Sequence, residues 1–255
     1  MPQAVLVVGA SSKIGRVVCH RLAESGYLVY AGYRNNPVPK SHNIVPIKLD
    51  VTSEASCQKA LQTVLVSKNK LIAVVNLVGI TVSGDSISFP SQDLASLLDT
   101  NIVGAFRLIR TVLPSLPKGG RIINIGSLSG LVSFPNFSLY SASKFALRGL
   151  SLGLYQEWLS RKRYVVCISL GAVANDSNRS LSHQSARSKI PFLGILLPLT
   201  TPLVVAKKIR EVIELENPPA EVLVGNDTVF LSFLSQLLPA RWWSRIQQYI
   251  WRKQK

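Results

Sequence analysis

The sequence predicts an α/β fold in which helices cover both faces of a doubly wound parallel sheet in a single domain. Three observations predict it. Short runs of β-branched residues alternate with longer stretches of helical periodicity. Some of these runs are apolar throughout, as are strands buried on both faces, and residues 4–8 form the first of them. The 255 residues, 47% of them hydrophobic, are enough for one large core.

The N-terminal half shows this alternation from its first strand onwards. After the strand at 4–8, apolar residues at helical spacing predict a helix over 14–25, which ends at Gly26. Ser53 is a weak N-cap for a second helix. The stretch 91–115, first polar and then apolar, predicts a long helical region. We expect the intervening strands where β-branched and other apolar residues cluster, at 28–32, 43–49 and 71–78.

Pro117, Gly119 and Gly120 separate this region from the C-terminal half. From there we expect strands at 121–127, 164–170 and 221–225, and helices at 138–161, at 202–216 and twice more before the end. The apolar patch 190–199 is too short and too often interrupted by proline to span a bilayer. We therefore assign one domain to residues 1–238, followed by a basic amphipathic helix at 239–255.

Composition and charge argue against several classes of function. The three cysteines and three histidines are scattered singly, so we expect no metal site. An odd cysteine count without a secretory signal predicts a reducing, cytoplasmic location. The net charge of +16 favours acidic partners, although a solvated basic surface is the alternative. Nucleic acid is a poor candidate, because basic residues with interleaved aromatics occur in the C-terminal tail alone.

The stretch VVGASSKIG, residues 7–15, has the position and composition of a nucleotide-phosphate loop. Gly9 follows the first strand and permits a tight turn, and Gly15 permits close packing of the next helix. The hydroxyls of Ser11 and Ser12, with backbone amides at the positive end of that helix, can meet a pyrophosphate. Lys13 occupies a position where another glycine is expected.

The end of the second strand favours NADP(H) over NAD(H) as the cofactor. A carboxylate there would bind a ribose diol, but the sequence has Arg34 and no acid. Together with Lys13 it supplies two cations for a 2′-phosphate, unless both are ordinary surface charges. After the third strand, Asp50 and Val51 are candidates for adenine contacts, with a helix-start aspartate as the alternative. Asn76 and Gly79, after the fourth strand, let the backbone approach the second ribose.

The segment YSASK, residues 140–144, carries the candidate chemistry. Tyr140 and Lys144 lie at i and i+4 on one helix face. An ammonium beside a phenol favours the phenolate, which suits proton exchange with an alcohol or a carbonyl. Ser127 stands at a strand end before this helix, and Asn101 lies in the long helical region before that strand. We therefore group these four residues as one candidate catalytic set.

In order and spacing, these motifs resemble those of the short-chain dehydrogenase/reductase family. The resemblance covers roughly residues 3–176 and includes Asp50-Val51, NLVG (76–79), LDTNIVGAF (98–106), GRIINIGSLSG (120–130) and YSASK. It implies a Rossmann-type domain, a nicotinamide cofactor and an Asn-Ser-Tyr-Lys tetrad. Tyr140 would be the acid/base, Ser127 would bind the substrate oxygen, Lys144 would tune Tyr140 and bind ribose, and Asn101 would organise a water-linked proton path. The resemblance adds Ile14, Gly171 and Val173 to the cofactor contacts.

The sequence departs from the family pattern around the cofactor and leaves the tetrad intact. Val8 stands where the family has threonine, Lys13 replaces a glycine, and NLVG replaces Asn-Asn-Ala-Gly. Leu170 and Asn175 replace a proline and a frequent threonine. These positions concern the geometry of the cofactor loop and the carboxamide contacts, so the resemblance alone does not predict cofactor affinity or cofactor choice.

The family's substrate lid corresponds to residues 172–202 here. Its apolar side chains predict a lipophilic ketone or alcohol, with core or dimer packing as the alternative; they are Ile190, Phe192, Leu193, Ile195, Leu196 and Leu197. Leu128, Leu131, Val132, Phe134 and Phe137 add apolar wall near the tetrad. The resemblance implies a carbonyl reductase that forms a homodimer or homotetramer. A 3-oxoacyl-carrier-protein reductase is one alternative, and a non-enzymatic NADP-binding sensor is another.

The tail over 239–255 combines tryptophan, leucine, tyrosine and basic residues at helical spacing. Such a segment can lie in a membrane interface with its arginines outside. The alternative is a helix packed on the fold or on a neighbouring subunit. We expect the protein in the cytoplasm, with peripheral membrane contact through this tail.

Overall fold

Seven parallel strands form one sheet in the computed structural model, which describes residues 2–67, 69–174 and 199–252. The strands are β1 (Gln3–Val8), β2 (Leu28–Tyr33), β3 (Ile44–Lys48), β4 (Lys70–Asn76), β5 (Arg121–Ile125), β6 (Tyr164–Leu170) and β7 (Glu221–Val224). Their order is β3-β2-β1-β4-β5-β6-β7, and every neighbouring pair is parallel. The order reverses between β1 and β4, so a crevice forms there at the carboxyl ends of the strands.

Helices connect these strands. They are α1 (Lys13–Glu24), α2 (Glu54–Val66), α3 (Ser91–Leu98), α4 (Gly104–Val112), α5 (Ser138–Leu159), α6 (Pro202–Glu214), α7 (Asn226–Leu237) and α8 (Ala240–Arg252). Side-chain caps fix several starts: the hydroxyls of Ser12, Ser53 and Thr201 each accept a hydrogen bond from a backbone amide of the first turn. The predicted cap at Ser53 is therefore confirmed.

Two cores pack against the two faces of the sheet. Along β1, Val5 and Val7 point into one core, whereas Leu6 and Val8 point into the other. The first core contains buried residues of α1 and α6, and the second contains buried residues of α2 and α4. Strands covered on both faces must be apolar at every position, which explains the continuous apolar runs of the sequence. The predicted doubly wound α/β fold is confirmed.

The region 91–115 differs from the single helix pattern of the sequence. A π-helical segment, Asp99–Val103, lies between α3 and α4, and the Gly104 amide donates to the Asp99 carbonyl. A π-turn inserts one extra residue into an otherwise continuous helix, and such turns occur often at functional sites. Here Asn101 stands in the middle of it and is buried.

The predicted lid lies largely outside the described residues, since the structure describes none of 175–198. Asn175 and the six lid side chains from Ile190 to Leu197 fall in that range. Its two ends are close together, because Val173 and Thr200 form a parallel bridge. In the described part of the chain, no helix has the length and apolar character needed to cross a bilayer.

Candidate active site

The phosphate loop lies at the switch point between β1 and β4. Gly9 has a φ of +83°, a conformation that favours glycine, and a Cβ there would lie 3.2 Å from the Leu77 carbonyl carbon. At Gly15 a Cβ would come within 2.4 Å of the Gly9 carbonyl oxygen. The start of α1 is thus packed directly on the turn after β1. Both glycines are required by the close approach of backbone segments.

The two serine hydroxyls of this loop have partners within the protein. The Ser12 Oγ accepts from the Gly15 amide at 3.0 Å and lies 2.9 Å from the Gly9 carbonyl oxygen. The Ser11 Oγ donates to the backbone carbonyl of Asn36. These bonds hold the loop in shape and join it to the segment after β2. The predicted contact of both hydroxyls with a pyrophosphate stays a prediction.

Lys13 begins α1, with Ile14 half-buried behind it. Its φ is not among the positive values of the described residues, so a side chain is tolerated there without backbone strain. The first turn of α1 contains no acid, and Arg16 lies there too, with its Nε 3.2 Å from the Ser11 carbonyl oxygen. Cations at the positive end of a helix are unfavourable unless an anion is near. The predicted contact of Lys13 with a phosphate stays a prediction.

Arg34 lies on the segment that the Ser11–Asn36 hydrogen bond joins to the phosphate loop. It is exposed directly after β2, and the next carboxylate in the chain is Asp50. Lys13 is also exposed. Two cations thus stand on adjacent segments after β1 and β2, and their predicted contact with a 2′-phosphate stays a prediction.

The Asp50 side chain accepts hydrogen bonds within the turn that precedes α2. Its Oδ1 accepts from the Thr52 amide at 3.0 Å and from the Thr52 hydroxyl at 2.8 Å. This geometry favours the helix-start alternative for the carboxylate. Val51 is buried, and a Cβ on Gly104 would lie 2.7 Å from its Cγ2. The floor of the expected adenine region is therefore tightly packed.

Asn76 is buried in a ladder of polar side chains that crosses the sheet. Its Nδ2 donates to the Asn124 Oδ1 at 3.1 Å, and the Asn124 Nδ2 donates to the Ser151 hydroxyl at 3.0 Å. The Asn76 Oδ1 accepts from the Val78 amide. The ladder fixes the backbone after β4, where Gly79 follows. Sequence reasoning missed Asn124, whose signal is a polar residue between the isoleucines of β5.

Lys144 lies at the centre of the predicted tetrad. It is buried, its Nζ donates to the Ile125 carbonyl at 3.0 Å, and it lies 5.8 Å from the centre of the Tyr140 ring. A Cβ on Gly79 would lie 3.2 Å from the same Nζ, so a side chain there would fill the space beside the ammonium. An ammonium beside a glycine could bind ribose hydroxyls, so the residues present fit a nicotinamide cofactor.

Ser127 is held beside α5 by a short helical turn. Its Oγ caps that turn by accepting from the Ser129 amide at 3.1 Å. A Cβ on Gly130 would lie 2.8 Å from the Lys144 carbonyl oxygen, so the turn packs directly on the helix that carries Tyr140. Tyr140 and Ser127 are both half-buried, so neither side chain is closed off from solvent.

Asn101 is connected to the rest of the tetrad through its neighbours. Its Oδ1 accepts from the Ile80 amide at 2.8 Å, and its Nδ2 donates to the Ile80 carbonyl and to the Ser143 hydroxyl. A Cβ on Gly79 would lie 3.5 Å from its Oδ1 and 3.2 Å from the Lys144 Nζ. Asn101 thus anchors the segment after β4 to α5. The predicted proton path stays a prediction.

Cys167 packs behind the tetrad, where a Cβ on Gly126 would lie 2.9 Å from its Sγ. Burial raises the pKa of the Cys167 thiol to about 11. The thiol therefore stays protonated near neutral pH and is a poor nucleophile.

Among the described residues, no three His, Cys, Asp or Glu side chains come together as metal ligands could.

The segment after β6 is positioned by Asp227, which the sequence did not indicate. Its carboxylate is buried and accepts from the Ala172 amide at 2.9 Å and from the Thr228 amide at 3.0 Å. A Cβ on Gly171 would lie 1.8 Å from its Oδ1, so glycine is required there. Val173 follows and is buried. Asp227 thus fixes both predicted cofactor residues after β6 and the start of the lid.

We expect Asp227→Ala to destabilise the protein by about 1–3 kcal/mol, because it leaves the buried Thr228 amide and the half-buried Ala172 amide without this acceptor. Urea denaturation measures this effect. The cofactor dissociation constant should rise with it, because the segment around Gly171 and Val173 loses its anchor. Asp93→Ala is the matched control, since Asp93 also lies in the first turn of a helix but is exposed. An equal loss of stability in both variants would contradict the anchoring role.

Comparison with known proteins gives a consistent result. A family model described as short chain dehydrogenase matches residues 3–186. The chain is 30% identical to carbonyl reductase family member 4 of Danio rerio, over 75% of this chain and 84% of that protein. It is 31% identical to a 3-ketodihydrosphingosine reductase of Bacteroides thetaiotaomicron over 61% of this chain, and the match spans only 58% of that relative.

Solved structures show the same fold. The structure of ElxO with NADP bound has a TM-score of 0.76 at 24% identity, covering 88% of this chain and 97% of that one. At that identity the likeness concerns the fold alone.

Proposed function

The chain belongs to the short-chain dehydrogenase family of oxidoreductases, and from that premise we propose that it interconverts a carbonyl and an alcohol with NADP(H). The observation that carries the proposal is the buried Lys144 ammonium, which lies 5.8 Å from the centre of the Tyr140 ring and directly beside Gly79. An ammonium enclosed in this way supports proton exchange at a phenol. The proposed site thus joins an acid/base to a cofactor cleft.

Each tetrad residue has a proposed task in this reaction. Bound nicotinamide supplies or accepts a hydride at the substrate carbon. Tyr140 donates a proton to the substrate oxygen in reduction and removes it in oxidation. Lys144 tunes Tyr140 through the charge of its ammonium and binds ribose hydroxyls. Ser127 hydrogen-bonds the substrate oxygen, and its capping bond with the Ser129 amide supports a fixed orientation. Asn101 organises the proton path towards Lys144.

The preference for NADP(H) rests on Lys13 and Arg34. Both are exposed on segments that the Ser11–Asn36 hydrogen bond brings together, and no carboxylate follows β2 directly. A carboxylate there would repel a 2′-phosphate, whereas an arginine can bind one with two hydrogen bonds. The remaining proposed contacts are Gly9, Ser11, Ser12, Ile14, Gly15, Asp50, Val51, Asn76, Gly79, Gly171 and Val173.

The proposed substrate is a lipophilic ketone or alcohol of the steroid, retinoid or other lipid type. Leu128, Leu131 and Phe134, close to Ser127 in the chain, are partly exposed and can line a substrate cleft, whereas Val132 and Phe137 are buried. The name of the Bacteroides thetaiotaomicron relative, a 3-ketodihydrosphingosine reductase, supports a long-chain ketone. The name of the Danio rerio relative supports a carbonyl substrate in general.

A second candidate is reduction of 3-oxoacyl groups on a carrier protein. It is favoured by the net charge of +16, which suits an acidic carrier. The non-enzymatic sensor has less support, because a residue set capable of proton transfer would then have no task. A cytoplasmic location and a homodimer or homotetramer remain predictions.

The test is the oxidation of NADPH and NADH with a panel of ketones, aldehydes and 3-oxoacyl thioesters. We expect turnover with NADPH, and the highest kcat/KM for long apolar ketones. A clear preference for 3-oxoacyl thioesters would select the carrier-protein alternative. Binding of NADPH without turnover of any substrate class would favour the sensor.

A further inference from the structure

Helix α7 is amphipathic, but it buries its polar face and exposes its apolar face, the opposite of an ordinary surface helix. Its buried face carries Asp227, Thr228 and Ser232. Its exposed face carries large apolar residues: Val229 is 52% exposed, Phe230 50%, Phe233 62% and Leu237 62%. Phe230, Phe233 and Leu237 follow at i, i+3 and i+7 and therefore form one stripe. An exposed stripe of this size marks an interaction site.

Helix α8 continues this surface with cations. Arg241 and Arg245 are exposed four residues apart on one helix face, and Trp242 beside them is 50% exposed. The Arg245 guanidinium carbon lies 5.6 Å from the Trp242 ring centre. The sequence adds Arg252, Lys253 and Lys255, and it contains no acid after Asp227. The C-terminal segment is therefore purely basic and carries an exposed indole.

Both helices contact the loop that carries Ser127. Helix α7 packs on the turn Leu128–Gly130, and the Gln247 Nε2 of α8 donates to the Ser133 carbonyl at 2.6 Å. The apolar stripe and the basic helix thus adjoin the proposed substrate cleft, at the carboxyl ends of the strands.

We propose that the exposed faces of α7 and α8, here called the α7–α8 face, dock on an anionic lipid bilayer. Phenylalanine, leucine and tryptophan side chains enter the interface, while arginines meet the acidic headgroups. A second copy of this chain fits less well, because it would bring the same cations opposite one another. An acidic protein would be attracted by the arginines, but it gives no reason for the apolar stripe.

The docked orientation places the Ser127 loop next to the bilayer. A lipophilic substrate could then enter the cleft without passing through water. This consequence rests on the proposed function, whereas docking itself does not. Binding to vesicles and turnover of a water-soluble ketone are therefore measured separately.

Co-sedimentation with phosphatidylserine-containing vesicles tests the proposal on the full chain. We expect binding at low salt that weakens as salt is added and is lost on pure phosphatidylcholine. Phe230→Ser with Phe233→Ser should lower the apparent partition coefficient about tenfold, because the inserted apolar area is removed. Arg241→Glu with Arg245→Glu should lower it by a similar factor, since each basic residue near an anionic surface contributes to binding.

Matched controls change the opposite end of the molecule. Leu65→Ser with Val66→Ser removes exposed apolar residues at the end of α2, and Lys70→Glu with Lys118→Glu reverses exposed cations at the amino ends of β4 and β5. These variants should bind vesicles like the wild type, apart from a small loss due to net charge. All variants should turn over a water-soluble ketone at the wild-type rate.

Three outcomes would overturn the proposal. The first is no vesicle binding by the wild type at low salt. The second is a loss confined to the arginine variant together with binding to an acidic carrier protein, which would assign the face to such a protein. The third is a phenylalanine variant that sediments as a smaller assembly than the wild type and binds vesicles unchanged, which would make the face an interface between copies.

Discussion

Replacement of Tyr140 by phenylalanine is expected to lower kcat by about 10²–10⁴-fold, the range that a positioned general acid contributes. The variant removes one hydroxyl and keeps the ring, whose centre lies 5.8 Å from the Lys144 Nζ. The cofactor cleft around Gly79 should therefore keep its shape. Steady-state kinetics gives kcat, and titration of NADPH fluorescence gives the dissociation constant, which we expect to change less than threefold or so, because ribose and phosphate contacts remain.

The matched control is Tyr155→Phe on the same helix. Tyr155 lies further along α5, and its hydroxyl donates to the Pro218 carbonyl at 2.9 Å. Its loss should cost stability of the order of one hydrogen bond, about 1 kcal/mol, and leave kcat intact. Substantial residual turnover in Tyr140→Phe would remove Tyr140 from the acid/base role. A parallel loss of NADPH binding would instead indicate that the variant disturbs the cleft.

The second large effect is expected from Lys13→Gly combined with Arg34→Asp. The double variant should lower the NADPH-to-NADH ratio of kcat/KM by about 10²–10⁴-fold, since two charged hydrogen bonds are lost and a carboxylate is added. Glycine is the residue expected at position 13 in this loop, and position 34 is exposed, so folding should be unaffected. NADH should become the better cofactor because aspartate can bind the ribose diol.

Lys70→Glu with Lys118→Glu is the control here also. It lowers the net charge at the amino ends of the strands, away from the cofactor crevice. Unchanged cofactor preference in this variant would show that general surface charge does not set the choice. Survival of NADPH preference in Lys13→Gly with Arg34→Asp would mean that both cations are surface charges and that another group selects the cofactor.

The sequence determined the order and type of the elements because each signal is local. A strand covered on both faces must be apolar at every position, so a run such as residues 4–8 can be recognised as a buried strand from the sequence. Ser53 caps its helix through the third residue after it, a contact within one turn. The Tyr140–Lys144 spacing places both on one helix face by geometry alone. The family resemblance over roughly residues 3–176 agrees with the family match over 3–186.

Other features depended on contacts between distant segments. The Ser11–Asn36 bond, the Asn76–Asn124 bond and the Asp227–Ala172 bond each join different parts of the chain. No local pattern separates Asp227, which is buried, from exposed aspartates at other helix starts. For Asp50, the structure favoured the helix-start alternative, because the amide and the hydroxyl of Thr52 both donate to its Oδ1.

The sequence by itself therefore determined the fold class and the family, since periodicity and short motifs encode them locally; the phosphate loop and the tetrad stay predictions of the same motifs. Only the tertiary structure decided that a π-turn holds Asn101, that Lys144 faces Ile125 and the space at Gly79, and that α7 buries its polar side. The physical reason is that burial of a side chain depends on what packs against it. From the sequence alone, Phe230 and Phe233 look like core residues. Their exposure is visible only in the structure, because the opposite, polar side of α7 is the one that packs on the protein.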